Sequence, residues 1–377
     1  MIGPARTHYN FAARMGVMRS ADGACARSTL RLDYGPCTDA AQDHEGELVR
    51  AVGYSRQGPA RKVLQALELP LPQPAPGEAR VRLMASGVNP ADCNRRAGRG
   101  HPMPYELIVP HSDGAGVVEA VGREADIGWV GRRVWLYNAQ RGRAMGTAAE
   151  HLCLELSLLA ELPPQVSFDH GACLGIPCMT AWCALFEDGP LKGQTVLVTG
   201  GAGAVAHYAI QLAVHGGARV LSTASTPDKM RQARQAGAAA VVDYRATNCA
   251  RQLLEAAAGA PVTRIIDVDF GRNLATTLAV AADNAKVVAY ASRVEEHPRL
   301  PFYELLRRNL RLHALYLATL PPALRRAAQA GIGRWLLEAS AQHRVAASFP
   351  LAQSALAHEA VERGDKCGTV IVRPQAQ

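Results

Sequence analysis

Residues 195–217 read TVLVTGGAGAVAHYAIQLAVHGG: a short run of Thr, Val and Leu, a glycine cluster, then an apolar stretch with helical spacing. A strand passing into a helix across glycines constrains this chain more than any other feature, because it demands a tight βα turn. Gly201, Gly203 and Ala206 fall in the pattern G-x-G-x-x-A. Gly201 permits the turn, Gly203 lets the backbone approach a diphosphate, and Ala206 is small enough for close helix–strand contact. The helix N-terminus then offers free N–H groups and partial positive charge to that diphosphate. Taken alone, the pattern also fits a plain tight turn.

The chain beyond the turn narrows the choice. ARVLST, AAVV, TRIIDV, KVVAY and RLHALYL alternate with helical stretches, among them ones near 248–258 and 273–282. Thr226 with Pro227 predicts an N-cap and a first helical residue, and Gly237 predicts a stop. Strands alternating with helices predict a doubly wound parallel sheet. In such sheets an acid at the end of the second strand bonds the ribose 2′-hydroxyl of NAD. Here that end reads STASTPDK, with Ala224 and Ser225 in the acid's place. Ser225, Thr226 and Lys229 suit a 2′-phosphate, so the expected dinucleotide is NADPH. Asp228 objects only if it points inward. In the bland reading Thr226 merely caps the helix and Lys229 is solvated.

Upstream, from Val49 to about Pro163, short strand-like runs such as VRAVGY, EARVRLMASGV, GAGVVEAVG and RRVWLY are punctuated by Gly and Pro. They predict a β-rich domain. The closing TVIV predicts a strand that packs back on it. Residues 1–48 show no period and read as an extension, disordered or not translated, with a GTG start at Val49. A mitochondrial presequence is the alternative, since the first twenty residues contain arginines and no acid.

Bulk properties exclude some classes. The 377 residues suffice for two domains. The formal charge of +8 is scattered rather than blocked, which argues against nucleic acid as a partner. No apolar run is long enough to predict a membrane span. Nine cysteines, an odd number without a CxxC pair, predict reduced thiols in a cytoplasmic protein.

Five segments carry a family resemblance: ASGVNPADCNRRAG (85–98), IVPHSDGAGVVEAVG (108–122), GACLGIPCMTAWCAL (171–185), VLVTGGAGAVAHYAIQLA (196–213) and VVDYR (241–245). With them the chain from Val49 to Pro374 resembles the zeta-crystallin-like quinone oxidoreductases of the zinc-independent medium-chain dehydrogenase/reductase superfamily. The resemblance implies an α/β fold: a GroES-like β-rich catalytic domain (49–172, completed by 318–377) and a Rossmann doubly wound parallel sheet (173–317). It implies NADPH-dependent reduction of a quinone or activated enone by a homodimer. It places Asn89 and Thr180 near the nicotinamide, Tyr244 beside the adenosine, and Ser225 and Lys229 at the 2′-phosphate. Gly201, Gly203, Ala204 and Val205 then line the diphosphate, while Ala291 and Arg293, in the segment YASR, reach the cofactor or its entrance. Each has a bland counterpart: Thr180 bonding its own helix backbone, Tyr244 packed on a loop, Asn89 a turn residue before Pro90.

Two departures bear on chemistry. Zinc-dependent relatives place Cys, His and Glu where this chain has Asn89, Ser112 and Asp113, so no metal is expected; a catalytic zinc needs three protein ligands. Relatives often carry a Tyr where this chain has Asn94, and an amide donates a hydrogen bond but is no acid near neutral pH. Arg95 and Arg96 are candidates for an anionic product, or a solvated pair. Cys93, Cys178 and Cys183 flank these segments and read equally as small apolar fillers. Two rival functions remain open: an acyl-thioester enoyl reductase, and a low-turnover NADPH-binding sensor or structural protein.

Overall fold

The computed structural model describes residues 46–100 and 102–375. The readings of residues 1–45, with Cys25 and Cys37, lie outside the described residues. The described residues open with an antiparallel pair, β1 (Leu48–Gly53) and β2 (Gln65–Pro70), linked through the single turn α1 (Ala60–Val63). β1 begins one residue before the expected Val49.

A seven-stranded sheet comes next, made from β3 (Glu78–Val88), β4 (Asp113–Val121), β5 (Arg133–Leu136), β6 (His151–Glu155), β7 (Leu159–Glu161), β14 (Val345–Pro350) and β15 (Thr369–Arg373). β3 alternates half-buried and buried residues along EARVRLM and becomes continuously buried from Ala85 to Val88, where another layer covers it. There Gly87 is obligatory, because a Cβ would lie 2.3 Å from the carbonyl oxygen of Ala172. TVIV becomes β15 and pairs antiparallel with β3, so the C-terminal segment returns to this sheet. Between β3 and β4 the chain forms α2 (Pro90–Ala97), a helix hidden in the β-rich half and begun by proline at its first position. The short α3 (Phe168–Gly171) and the almost wholly apolar α4 (Gly175–Phe186) lead to the second sheet.

That sheet is parallel, in the order β10 (Ala240–Asp243), β9 (Arg219–Ala224), β8 (Thr195–Val198), β11 (Val262–Asp267), β12 (Ala281–Ala289), β13 (Arg311–Ala314). All four residues of β8 are buried, as a strand covered on both faces requires. The intervening helices are α5 (Ala204–His215), α6 (Pro227–Gln235), α7 (Cys249–Ala257), α8 (Phe270–Val280) and α9 (Phe302–Arg307). Thr226 caps α6 by accepting from the Lys229 N–H at 3.3 Å, with Pro227 first in the helix and Gly237 beyond its end at φ +110°. α8 starts three residues earlier than its periodicity suggests, because Phe270 is buried and its N–H is taken by the carbonyl of Ala291. The chain runs from β8 outward through β9 and β10, then back to β11 and the other side. A crevice therefore opens at the carboxyl ends of β8 and β11, the switch point where ligands bind in such sheets. α10 (Pro322–Glu338) and α11 (Ser354–Glu362) complete the fold. One core joins the two sheets through Trp135, Met179, Ile210, Trp335 and Ile371.

Candidate functional site

The glycine turn is the most completely determined part of the crevice. Gly200 adopts φ +67°, a left-handed conformation that glycine tolerates without strain. Its N–H donates to Thr223 Oγ1 at 3.1 Å, the Gly201 N–H to the Thr223 carbonyl at 2.8 Å, and the Gly203 N–H to the Gly200 carbonyl at 2.8 Å. A Cβ on Gly201 would stand 2.3 Å from Ser222 Oγ and 2.7 Å from Ala233 Cβ. On Gly203 it would meet only the Gly200 carbonyl oxygen, at 3.2 Å. Gly201 thus faces inward packing, whereas Gly203 leaves room before the first turn of α5. Ala206 is fully buried, and the amides of Ala204, Val205 and Ala206 have no acceptor inside the helix. The cradle fits a diphosphate.

At the end of β9 Ala224 is buried and Ser225 half-buried. Asp228 is exposed and ion-paired with Arg231, so it does not oppose an anion at Ser225. The Lys229 side chain has no partner among the described residues. The Tyr244 N–H donates to the Ala224 carbonyl at 3.3 Å, and the Arg272 guanidinium lies 4.8 Å from the Tyr244 ring centre. Sequence reading does not single out Arg272. Across the crevice Asp269 accepts from the Arg293 N–H at 2.7 Å, which orders the segment holding Ala291 while the Arg293 side chain stays exposed. Thr180 is buried on α4, yet its hydroxyl makes no hydrogen bond among the described residues, so it does not bond its own helix backbone.

The β-rich half contributes a dense polar core. Asn89 caps α2, with its N–H donating to Asp92 Oδ2 at 2.8 Å and its Nδ2 to Asp113 Oδ2 at 2.6 Å. The Ile176 N–H reaches the same Asp113 oxygen at 2.8 Å. Asp113 is fully buried, and desolvation holds its carboxyl well above the usual range despite these donors. Gly175 packs on it so tightly that a Cβ would lie 2.2 Å from its Cγ. Asp92 also accepts from Ser112 Oγ at 3.3 Å, and burial, opposed by Arg95, raises it to about 6. Asn89, Ser112 and Asp113 are thereby joined, through Asp92, in one hydrogen-bonded cluster. Among the described residues no group of three or more His, Cys, Asp or Glu side chains gathers as a metal site.

Asn94 is half-buried on α2, without a side-chain hydrogen bond among the described residues. Arg96 is neither solvated nor free for a product: it is buried against the Gly58 carbonyl and Glu362. Arg95 bonds Gln140. Cys93, Cys178 and Cys183 are buried, and desolvation pushes their thiols up, Cys183 to about 12. They act as packing groups rather than nucleophiles.

Sequence reading misses a second polar chain behind Asp113. Thr147 donates to the Asp113 carbonyl at 2.6 Å, so Ser86 must donate to Thr147 at 2.7 Å and accept from His111 Nδ1 at 2.8 Å. That leaves His111 Nε2 as acceptor for the Nε2–H of His358 at 2.9 Å. Both rings are buried and neutral, with desolvation lowering His111 to about 3. His111 holds φ +78°, where a non-glycine residue is strained. The sequence carries no signal for this pair, which is 247 residues apart.

A dinucleotide cradle on a doubly wound sheet, facing a polar cluster on a β-rich domain, defines a two-domain dehydrogenase. The alcohol dehydrogenase GroES-like domain model matches residues 75–216, and the zinc-binding dehydrogenase model matches residues 204–330. The quinone oxidoreductase of Pongo abelii is 32% identical over 257 residues, covering 67% of this chain and 77% of that protein. That of Pseudomonas aeruginosa is 32% identical over 232 residues, covering 61% and 70%. A mycobacterial structure solved as a complex with NADPH superposes with a TM-score of 0.76 at 28% identity, covering 86% of this chain and 100% of that one. The chain belongs to the quinone oxidoreductase family of the medium-chain dehydrogenases/reductases.

Proposed function

We propose that the protein is an NADPH-dependent reductase that delivers a hydride to a quinone or an activated α,β-unsaturated carbonyl, without a metal. The observation that carries the cofactor choice is the acid-free end of β9, where Ser225 and Lys229 remain available and Asp228 is tied to Arg231. NADPH would be held by the Gly201–Val205 turn, by Ser225 and Lys229, and by Tyr244, with Ala291 and Arg293 at its entrance. Bound there, it supplies the hydride.

The chain's own residues position and exclude water. Asn89, locked by Asp113, and Thr180, with its free hydroxyl, form the walls beside the nicotinamide. Asn89 bonds Asp113 and Asp92, Ser112 bonds Asp92, and neither Asn89 nor Ser112 offers a thiolate, imidazole or carboxylate, which supports a metal-free reaction. β13 is an edge of the parallel sheet, and Leu312, Phe302, Tyr303, Leu306 and Tyr316 are exposed on it or near it in sequence, which supports a homodimer.

The test is oxidation of NADPH and NADH by the purified protein against a panel of quinones, enones and enoyl-CoA thioesters. Turnover with quinones or enones and a preference for NADPH is the expected result. Turnover confined to thioesters would make it an enoyl thioester reductase. Tight NADPH binding without any turnover would overturn the catalytic reading and favour a sensor.

A further inference from the structure

Hydride delivery needs the reducible bond held against the nicotinamide, so the groups that grip the rest of the substrate decide which substrate is taken. We infer that Arg325 and Tyr137 form a carboxylate-binding subsite of the crevice, so that the reductase proposed above, on which this assignment rests, selects enones or quinones carrying a carboxylate.

Three polar groups without partners converge there. Tyr137 is 1% exposed, and its hydroxyl, which makes no hydrogen bond among the described residues, keeps access to free space. Burial pushes that hydroxyl up to about 12, against the pull of Arg325 and Arg326, so it stays a donor at neutral pH. Arg325 is half-buried, its Nε is enclosed without an acceptor, and its guanidinium forms no ion pair among the described residues. The buried Thr180 contributes a hydroxyl that is likewise free and accessible. The start of α10 supplies no neutralising charge: its first turn has neither an acid nor a side-chain cap, and arginines near it oppose the helix dipole. A cation and two hydroxyls left unpaired in such surroundings are costly until an anion meets them.

The fold brings these groups to one place. α10 starts shortly after β13 leaves the carboxyl end of the parallel sheet, the end where the crevice opens. It packs along α4 and against β7. Gln329 of α10 donates to the carbonyls of Ser157 and Leu159, each at 3.1 Å, and Leu159 is the cross-strand partner of Leu136. Arg325 lies one helical turn before Gln329 on the same face, and Tyr137 directly follows Leu136. The Tyr137 ring lies 6.2 Å from that of Trp135, in the core that also holds Cys183. Cys183 is within electrostatic reach of both the Tyr137 hydroxyl and Arg325. Thr180 precedes Cys183 by one turn on the same face of α4, so the subsite borders the wall assigned above to Thr180. A planar guanidinium with a hydroxyl beside it matches the two oxygens of a carboxylate.

The test compares trans-benzoylacrylate, an enone carrying a carboxylate, with its uncharged ethyl ester, in the full chain and in R325Q, R325K and Y137F. The acid-to-ester ratio of kcat/KM within one protein does not depend on how much of that protein is folded. It should fall roughly 10–100-fold in R325Q, through KM for the acid. It should fall less in R325K, which keeps the charge without the fork, and in Y137F, which loses one donor. A ratio unchanged in R325Q means a solvated arginine, and the inference falls. It falls equally if the wild type reduces the ester alone. If the wild type reduces neither compound, the quinone panel tests the reductase reading separately, and calorimetric titration of the NADP⁺ complex with benzoylpropionate, the saturated acid, decides Arg325. Binding that R325Q weakens at least roughly tenfold supports the subsite, and unchanged or absent binding overturns it.

Discussion

The two halves of the crevice are built in different ways. On the doubly wound side the ligand-facing surface is mostly backbone: a glycine turn, a helix N-terminus, and a strand end defined by what it lacks. On the β-rich side it is a buried set of side chains, Asn89, Asp92, Ser112 and Asp113, drawn from two separate segments and wired by hydrogen bonds. The backbone cradle requires only that its residues stay small, since a Cβ on Gly203 meets nothing but the Gly200 carbonyl oxygen at 3.2 Å. The side-chain cluster does not, because each buried polar group there depends on a partner, and removing one strands the other.

The sharpest way to break the contrast is G201V. The added carbons would overlap Ser222 Oγ and Ala233 Cβ, both in the packed interior. We expect a destabilisation of about 1–3 kcal/mol or more and loss of NADPH binding, read by thermal unfolding and cofactor fluorescence. A variant that binds NADPH normally would mean that the turn is not the cradle.

The next effect separates anion recognition from the cradle itself. S225D places a carboxylate where a 2′-phosphate would lie, so NADPH affinity should drop roughly 10- to 100-fold while NADH affinity holds or improves. Equal weakening of both nucleotides, measured by titration, would remove Ser225 from the specificity set.

The smallest effect probes the side-chain half through pH. His111 has a folded pKa lowered to about 3, below its unfolded value, so its neutral form contributes stability above about pH 6.5. That contribution is lost as pH falls towards 3, when the buried ring must be charged on folding. H111N keeps a residue that accepts the left-handed backbone and removes the titration. The stability gap should shift in favour of H111N by roughly 2 kcal/mol between neutral pH and about pH 5. Urea unfolding of both proteins with the same pH slope would show that the ring is not buried neutral.

These contrasts explain which features are legible in the sequence. The α/β class, the βα turn, the α6 cap at Thr226 and the returning strand at TVIV are legible because each depends on residues adjacent in sequence. Helix α2 is not, since it lies among strand-like runs and is anchored by Asp92 and Arg96 reaching across the fold. Adjacency suggests Arg96 as a product ligand beside Arg95, but tertiary packing commits it to Gly58 and Glu362. Asp228 offers an objection to an anion that only its pairing with Arg231 answers.

By itself, then, the sequence determined the periodicities, the turn chemistry and the absence of an acid after the second strand of the parallel sheet. Those are local properties, decided by backbone sterics and hydrogen bonding within a few residues. Tertiary structure alone decided which buried polar groups meet: Asn89 with Asp113, and His111 with His358. The reason is physical. Desolvation makes a buried polar group costly until a partner is found, and partners 24 or 247 residues away are brought into reach only when the β-rich half folds, β3 pairing with β4 and α11 packing against that sheet.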